Sequence, residues 1–147
     1  MAKAEAELVI ACRPTVIWKL LSDLESIPSR QKGVTKIEML TEGAYGVGTQ
    51  WRESRSADGL EVTMTLTVAA CDEGRSTTIT CTSDGFDFST QIDLSPLEEG
   101  TRVQFVTTIR AKTFKKKALL PVVARVIQRG LQEDLRSLAA EAEGQVH

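Results

Sequence analysis

The middle of the chain is dominated by strict alternation. From Leu60 to Val68, the apolar residues Val62, Met64, Leu66 and Val68 are separated by Glu61, Thr63, Thr65 and Thr67. Ser76 to Thr82 repeats the pattern, with Thr77, Ile79 and Cys81 set against Thr78, Thr80 and Thr82. Phe86, Phe88, Thr90, Ile92 and Leu94 alternate with Asp87, Ser89, Gln91 and Asp93; Val103, Phe105, Thr107 and Ile109 alternate with Arg102, Gln104, Val106 and Thr108. A period of two, rich in β-branched residues, predicts strands with one wet and one dry face. Two further strands are expected at about Val34–Thr41 and Val47–Ser54, and another at about Ala4–Ala11.

Short acidic turns separate these runs: Asp58-Gly59, Asp72-Glu73-Gly74, Asp84-Gly85 and Glu98-Glu99-Gly100. Such turns favour hairpins, so the sheet is expected to be antiparallel. Two regions have helical spacing instead. Pro14 suits a first helical position, and Val16, Ile17, Leu20, Leu21 and Leu24 follow at helical intervals until Pro28 ends or kinks the stretch. A longer helix is expected from about Ala118 to Glu143, starting near Leu119 or Leu120 because Pro121 is tolerable only in the first turn. Leu119, Val123, Val126, Ile127, Leu131, Leu135 and Leu138 form its apolar face, opposite Arg125, Gln128, Arg129, Gln132 and Arg136.

The order is strand, short helices, six strands, long helix. A sheet with one dry face must cover it, and only the C-terminal helix is large enough. The expected class is α+β: a seven-stranded antiparallel sheet curled around a long C-terminal helix, with two short helices after the first strand. One helix cannot fill the concavity of such a sheet, so a cavity between them is expected.

Composition narrows the chemistry. The chain has 147 residues, 41% hydrophobic and 26% charged, ordinary for a soluble globular domain, and residues 1–147 read as one domain. No apolar run reaches membrane-span length, and the N-terminus does not read as a signal peptide, so a cytoplasmic location is expected. The net charge of −2 argues against nucleic acid as a partner. Cys12, Cys71 and Cys81 are too scattered for a disulfide framework or a zinc site, and the single histidine is the terminal His147. A histidine-based triad or metal site has no candidate, and neither a metal nor a cofactor is expected.

Three segments resemble one family across essentially the whole chain. Pro14-Thr15-Val16-Ile17-Trp18-Lys19-Leu20-Leu21-Ser22-Asp23, after an apolar strand, is similar to its opening helix. Val47-Gly48-Thr49-Gln50-Trp51-Arg52 is similar to its glycine-threonine-x-aromatic-arginine strand, and Gly130-Leu131-Gln132-Glu133-Asp134-Leu135-Arg136-Ser137-Leu138 to the end of its long helix. The chain thus resembles the START-like SRPBCC superfamily, the polyketide cyclase/dehydrase and lipid-transport proteins. The resemblance implies a helix-grip (START/Bet v 1-like) fold. Where that family often carries a tryptophan after the first helix, this chain reads Ile27-Pro28-Ser29-Arg30.

If each strand's apolar set faces the helix, Trp51, Met64, Phe86, Phe88, Phe105 and Ile109 share the concave face, with Val123 and Ile127 opposite on the helix. They would line a ligand pocket or form ordinary core. Thr90 and Thr107 would hydrogen-bond a ligand or a neighbouring strand. Glu53 shares the parity of Trp51 and would anchor a ligand hydroxyl, act as a general acid or base, or face solvent at a strand end. Cys81 is expected to be an inert thiol. Gly130 implies close helix–sheet contact, extra cavity room or mere tolerance. Arg110, Lys112, Lys115, Lys116 and Lys117, beside Phe114, Leu119 and Leu120, form either a solvated loop or a weak contact for an anionic membrane. The favoured expectation is binding of a small hydrophobic or amphipathic ligand such as a lipid, quinone or polyketide-like molecule. The alternatives are a polyketide cyclase/dehydratase using Glu53, an arginine or Tyr45, and a docking module using the basic loop.

Overall fold

A computed structural model describes residues 1–57 and 59–144. Asp58 of the Asp58-Gly59 turn and His147 lie outside the described residues. Strand β1 (Ala2–Ile10) leads into helix α1 (Pro14–Ser22), a 3-10 turn at Leu24–Ser26 and the short helix α2 (Ile27–Arg30). Strands β2 (Val34–Met39), β3 (Gln50–Ala57), β4 (Leu60–Asp72), β5 (Ser76–Ser83), β6 (Phe86–Leu97) and β7 (Gly100–Ala111) follow, then helices α3 (Phe114–Lys117) and α4 (Leu120–Gly144). The seven strands form one sheet in the order β1-β7-β6-β5-β4-β3-β2, antiparallel at each pairing.

Several boundaries differ from the sequence pattern, each for a local reason. Pro28 neither ends nor kinks α1; it sits in the first turn of α2, where its missing N–H leaves no carbonyl unpaired. Strand β3 begins at Gln50, not Val47, because the preceding turn runs on through Gly48 at φ 92° and closes on Thr49. There the Gly46 N–H donates to Thr49 Oγ1 at 3.0 Å, and the Thr49 N–H donates to the Gly46 carbonyl at 3.1 Å. At its other end, pairing with β4 carries β3 past Ser54 to Ala57, and Arg55 joins the sheet opposite Val62. The basic segment holds one helical turn, α3, whose Lys116 N–H donates to the Thr113 hydroxyl.

Helix α4 packs mainly on β1 and β7. Its Leu131, Leu135, Leu138, Ala139 and Ala142 meet Ala4, Ala6, Ile10, Val103 and Phe105, together with Ile17 and Leu20 of α1. The four alanines in these facing positions let the helix approach the first strand closely. The helix end is also tied by hydrogen bonds: Cys12 Sγ donates to the Ala142 carbonyl at 3.0 Å, and the Ala11 N–H donates to Glu143 Oε2 at 3.1 Å. Beneath it, Thr101, fully buried, donates from Oγ1 to the Cys12 carbonyl at 2.7 Å.

This corner depends on Gly100. It holds φ +148°, and a Cβ there would overlap the Ile10 carbonyl oxygen, a backbone atom that cannot swing aside. Gly100→Ala is therefore expected to cost about 3 kcal/mol in urea unfolding. Gly33→Ala, where a Cβ meets nothing within 4 Å, should stay within about 0.5 kcal/mol of wild type.

Candidate ligand-binding groove

The register places Trp51, Glu53 and Arg55 on the concave face of β3, beside Leu66, Met64 and Val62 of β4. The concave face continues through Ile79 and Cys81 of β5, then Phe88 and Thr90 of β6, to Thr107 and Ile109 of β7. Coverage along this face is uneven. Thr107, Phe105 and Ile109 are buried under α4. Met64, Leu66, Ile79, Cys81, Phe88 and Thr90 point the same way but are only half-buried. At the β3–β4 hairpin the inward positions Val62 and Leu60 are 43% and 71% exposed. The sheet therefore outreaches its helix, leaving a half-covered strip of inward side chains over β3–β6, the candidate groove, towards the end bearing the β3–β4 and β5–β6 turns.

The other end of the groove is closed. There the loop between β2 and β3 brings Tyr45 against Trp18 of α1, edge to face with centroids 6.0 Å apart. The Tyr45 hydroxyl shares a 2.7 Å hydrogen bond with Thr77 Oγ1. Below them Trp51, 2% exposed, packs with Leu24 and Val68. Burial pushes the Tyr45 phenol up to about 12, the bond to Thr77 opposing only in part, so the ring remains protonated and neutral.

The groove floor carries three charges. Glu53 is 5% exposed. Its Oε2 accepts from Arg55 Nε at 2.7 Å, and its Oε1 accepts from Trp51 Nε1 at 3.4 Å. Arg55 reaches across the groove from β3 to α4, donating from Nη2 to Asp134 Oδ2 at 3.1 Å. Burial works against the Arg55 charge, but Asp134 and Glu53 outweigh it and raise the guanidinium above its ordinary value. Asp134 moves the other way from a normal ion-pair partner. Burial raises its pKa, Arg55 offsets only part of the rise, and the charges of Glu53 and Glu133 add to it. Cys81, beside the network, is pushed up to about 11 by burial first and by Glu53 second, which disfavours a reactive thiolate.

The structure brings some expected site residues together and separates others. Phe86, Phe88, Ile109, Val123 and Ile127 form one cluster under the first turns of α4, with the two phenylalanine centroids 6.2 Å apart. Trp51 belongs to the closed-end cluster and Phe105 to the main core, so these two do not share one wall. Thr90 and Thr107 bond each other at 2.8 Å. One hydroxyl proton of the pair thus remains free for another acceptor. Glu53 is not at an open strand end. A Cβ on Gly130 would meet nothing within 4 Å, so close helix–sheet contact is not its role; on α4 it shares a row with Asp134, one turn away, and leaves room there. Arg55 and Asp134 escaped the sequence reading. Ending β3 at Ser54 hid that Arg55 continues the inward series of Trp51 and Glu53. Asp134 is an acidic residue set between Leu131 and Leu135 beside the apolar stripe of α4.

A hollow of about 480 Å³ lies on the opposite, convex face, where Thr65, Thr67, Thr80, Ser89 and Thr108 form a hydroxyl-rich wall. It has none of the buried charges of the groove.

With this geometry in view, sequence and structure comparisons place the chain. The profile described as polyketide cyclase/dehydrase and lipid transport matches residues 1–143. The chain belongs to this family. Comparison with the curated proteins finds no match. Among solved structures, a Thermus thermophilus protein is similar with a TM-score of 0.82 and 21% identity, covering 99% of this chain and 100% of that one. The Zhui aromatase/cyclase from Streptomyces gives 0.80 at 19% identity, over 99% of this chain and 96% of that one. A START superfamily protein from Mycobacterium smegmatis gives 0.81 at 16%, over 97% and 98%. These likenesses establish the START/Bet v 1-like fold. No described helix is long and apolar enough to cross a membrane.

Two tests probe the charged network. Replacing Arg55 by Met leaves Glu53 and Asp134 facing one another without a cation, and should destabilise the fold by about 2 kcal/mol at pH 7. For Asp134 the pKa is raised from 3.8 on folding. Its stabilising share is then complete below that value and is lost as pH rises through the folded one. Unfolding free energies of wild type relative to Asp134→Asn should therefore shift in favour of wild type as pH falls from 7 towards about 4. A constant difference, or the opposite drift, would remove this account of Asp134.

Proposed function

We propose that the chain binds a small amphipathic molecule in the groove over β3–β6, as a carrier or sensor and not through nucleophilic catalysis. The observation that carries the proposal is the run of half-buried inward side chains, Met64, Cys81, Phe88 and Thr90, beside a buried charged network. An apolar ligand body covering these positions gains about 25 cal/mol for each Å² removed from water. The family's description, spanning cyclases, dehydrases and lipid transport, supports a ligand of this kind.

The charge balance of the floor selects the ligand's polar end. Two carboxylates share one guanidinium, so the network holds more acidic groups than basic ones. Both carboxylates are acceptors, and Arg55 is already engaged by each of them. A hydroxyl, phenol or amine finds acceptors in this site, whereas a carboxylate meets like charge in a poorly solvated place.

Matched aromatic probes test this by titration calorimetry. Naphthol should bind at least about tenfold more tightly than naphthoate, a difference of about 1.4 kcal/mol. Glu53→Gln should narrow the gap. Gly130→Leu should weaken naphthol binding while preserving the melting temperature, because leucine is a better helix former and fills only the open space beside Asp134. Failure of both probes to bind would sink the groove; equal binding would sink only the selectivity.

A further inference from the structure

The open end of the groove concentrates exposed apolar and cationic residues. Phe114 is 88% exposed, Val122 62%, Val126 63% and Leu119 46%, on α3, the turn that follows it and the first turns of α4. Leu119, Val122 and Val126 are spaced along one flank of the helix, although the sequence pattern counts Leu119 and Val126 with its core face. The same turns meet β6 and β7 through Leu120, Val123 and Ile127, so Leu119, Val122 and Val126 lie on the flank turned away from the sheet. Met1, 78% exposed, and Leu60, 71% exposed, stand at the same end of the sheet.

The charges around these residues have one sign. From Arg110 to Arg129 every charged side chain is a cation, in a protein whose net charge is −2. Lys112, Lys115 and Lys117 are exposed, while Lys116 is occupied within the fold, lying over the Phe86 ring at 5.8 Å and against Gly85. A hollow of about 480 Å³ lies between Met1, Leu120, Arg110 and Lys117, with two cations above an apolar floor. Among the described residues, the acidic side chains of this end, Glu61, Asp84 and Asp87, belong to the β3–β4 and β5–β6 hairpins and not to the basic segment.

We infer that this end of the molecule docks on an anionic lipid bilayer. Phe114, Leu119, Val122 and Val126 would enter the interface, and Lys112, Lys115 and Lys117 would meet the headgroup phosphates. A bilayer fits better than an acidic protein because Phe114 and the valines project into solvent and do not line a recess. Insertion at an interface rewards such projection without demanding complementary shape. The cations at the same level supply the attraction to anionic headgroups. The inference is independent of the identity of any groove ligand.

Co-sedimentation of the full chain with vesicles tests it. Vesicles of phosphatidylcholine containing about a quarter phosphatidylglycerol should pull the protein down at low salt, and phosphatidylcholine alone should not. Raising the salt should release it. The triple variant Lys112→Gln/Lys115→Gln/Lys117→Gln should bind about a hundredfold more weakly, since each lysine near an anionic surface is worth about a fivefold factor. Phe114→Ser should also weaken binding. These are surface changes, and unaltered melting curves would show that the fold is intact. Binding that survives the triple substitution, equal binding to both vesicles, or no vesicle binding would each overturn the inference. Capture by polyglutamate without vesicle binding would redirect the surface to an acidic protein.

Discussion

The structure depends on a mismatch of widths. An α-helix with its side chains is about 10 Å across, while neighbouring strands lie about 4.8 Å apart. One helix therefore covers about two strands of a seven-stranded sheet. Helix α4 takes β1 and β7, where small residues allow close approach and the largest apolar cluster forms. Sheet curl and the aromatic plug at Tyr45 close part of what remains. The inward face of β4–β6 stays half-covered, and this uncovered strip is the groove.

That geometry explains why charge is found on the concave face. A glutamate in a fully dry core would be costly, but here it is paired with Arg55, whose side chain keeps about a third of its surface in solvent. Arg55 both neutralises Glu53 and spans to Asp134, the ion-pair tie between the far half of the sheet and α4 among the described residues. The tie is electrostatic and solvent-touched where the β1–α4 contact is apolar and buried. The two sides of α4 are consequently held by different physics: one mainly by apolar burial, the other by a network containing a carboxyl with a raised pKa.

The two ends of the helix differ as well. The C-terminal half is sealed into the core by Leu131, Leu135, Leu138 and Ala142, with hydrogen bonds from Cys12 and Ala11. The first turns bury Leu120 and Val123 on one side only, and leave Leu119, Val122 and Val126 in solvent. Stability is thus concentrated at the closed end. The open end carries the apolar, cationic surface.

Much of the architecture was legible in the sequence. Period-two alternation with acidic glycine turns determined the strands and their antiparallel pairing, and three- and four-residue spacing determined the long helix. Both signals reflect the solvation of alternate side chains, which is a local property. Glu53 was legible as an inward residue by parity alone. Arg55 was not, because the pairing of β3 with β4 continues past Ser54 to Arg55 and Ala57, a register that alternation within β3 alone does not reveal. Asp134 became part of the network only when α4 was laid across the sheet. The same placement decided that Leu119 and Val126, apolar and in phase with the core, face solvent. Sequence periodicity determined which side chains share a face. Only the tertiary structure decided which faces are covered, because coverage depends on where one helix of finite width lies on a wider sheet.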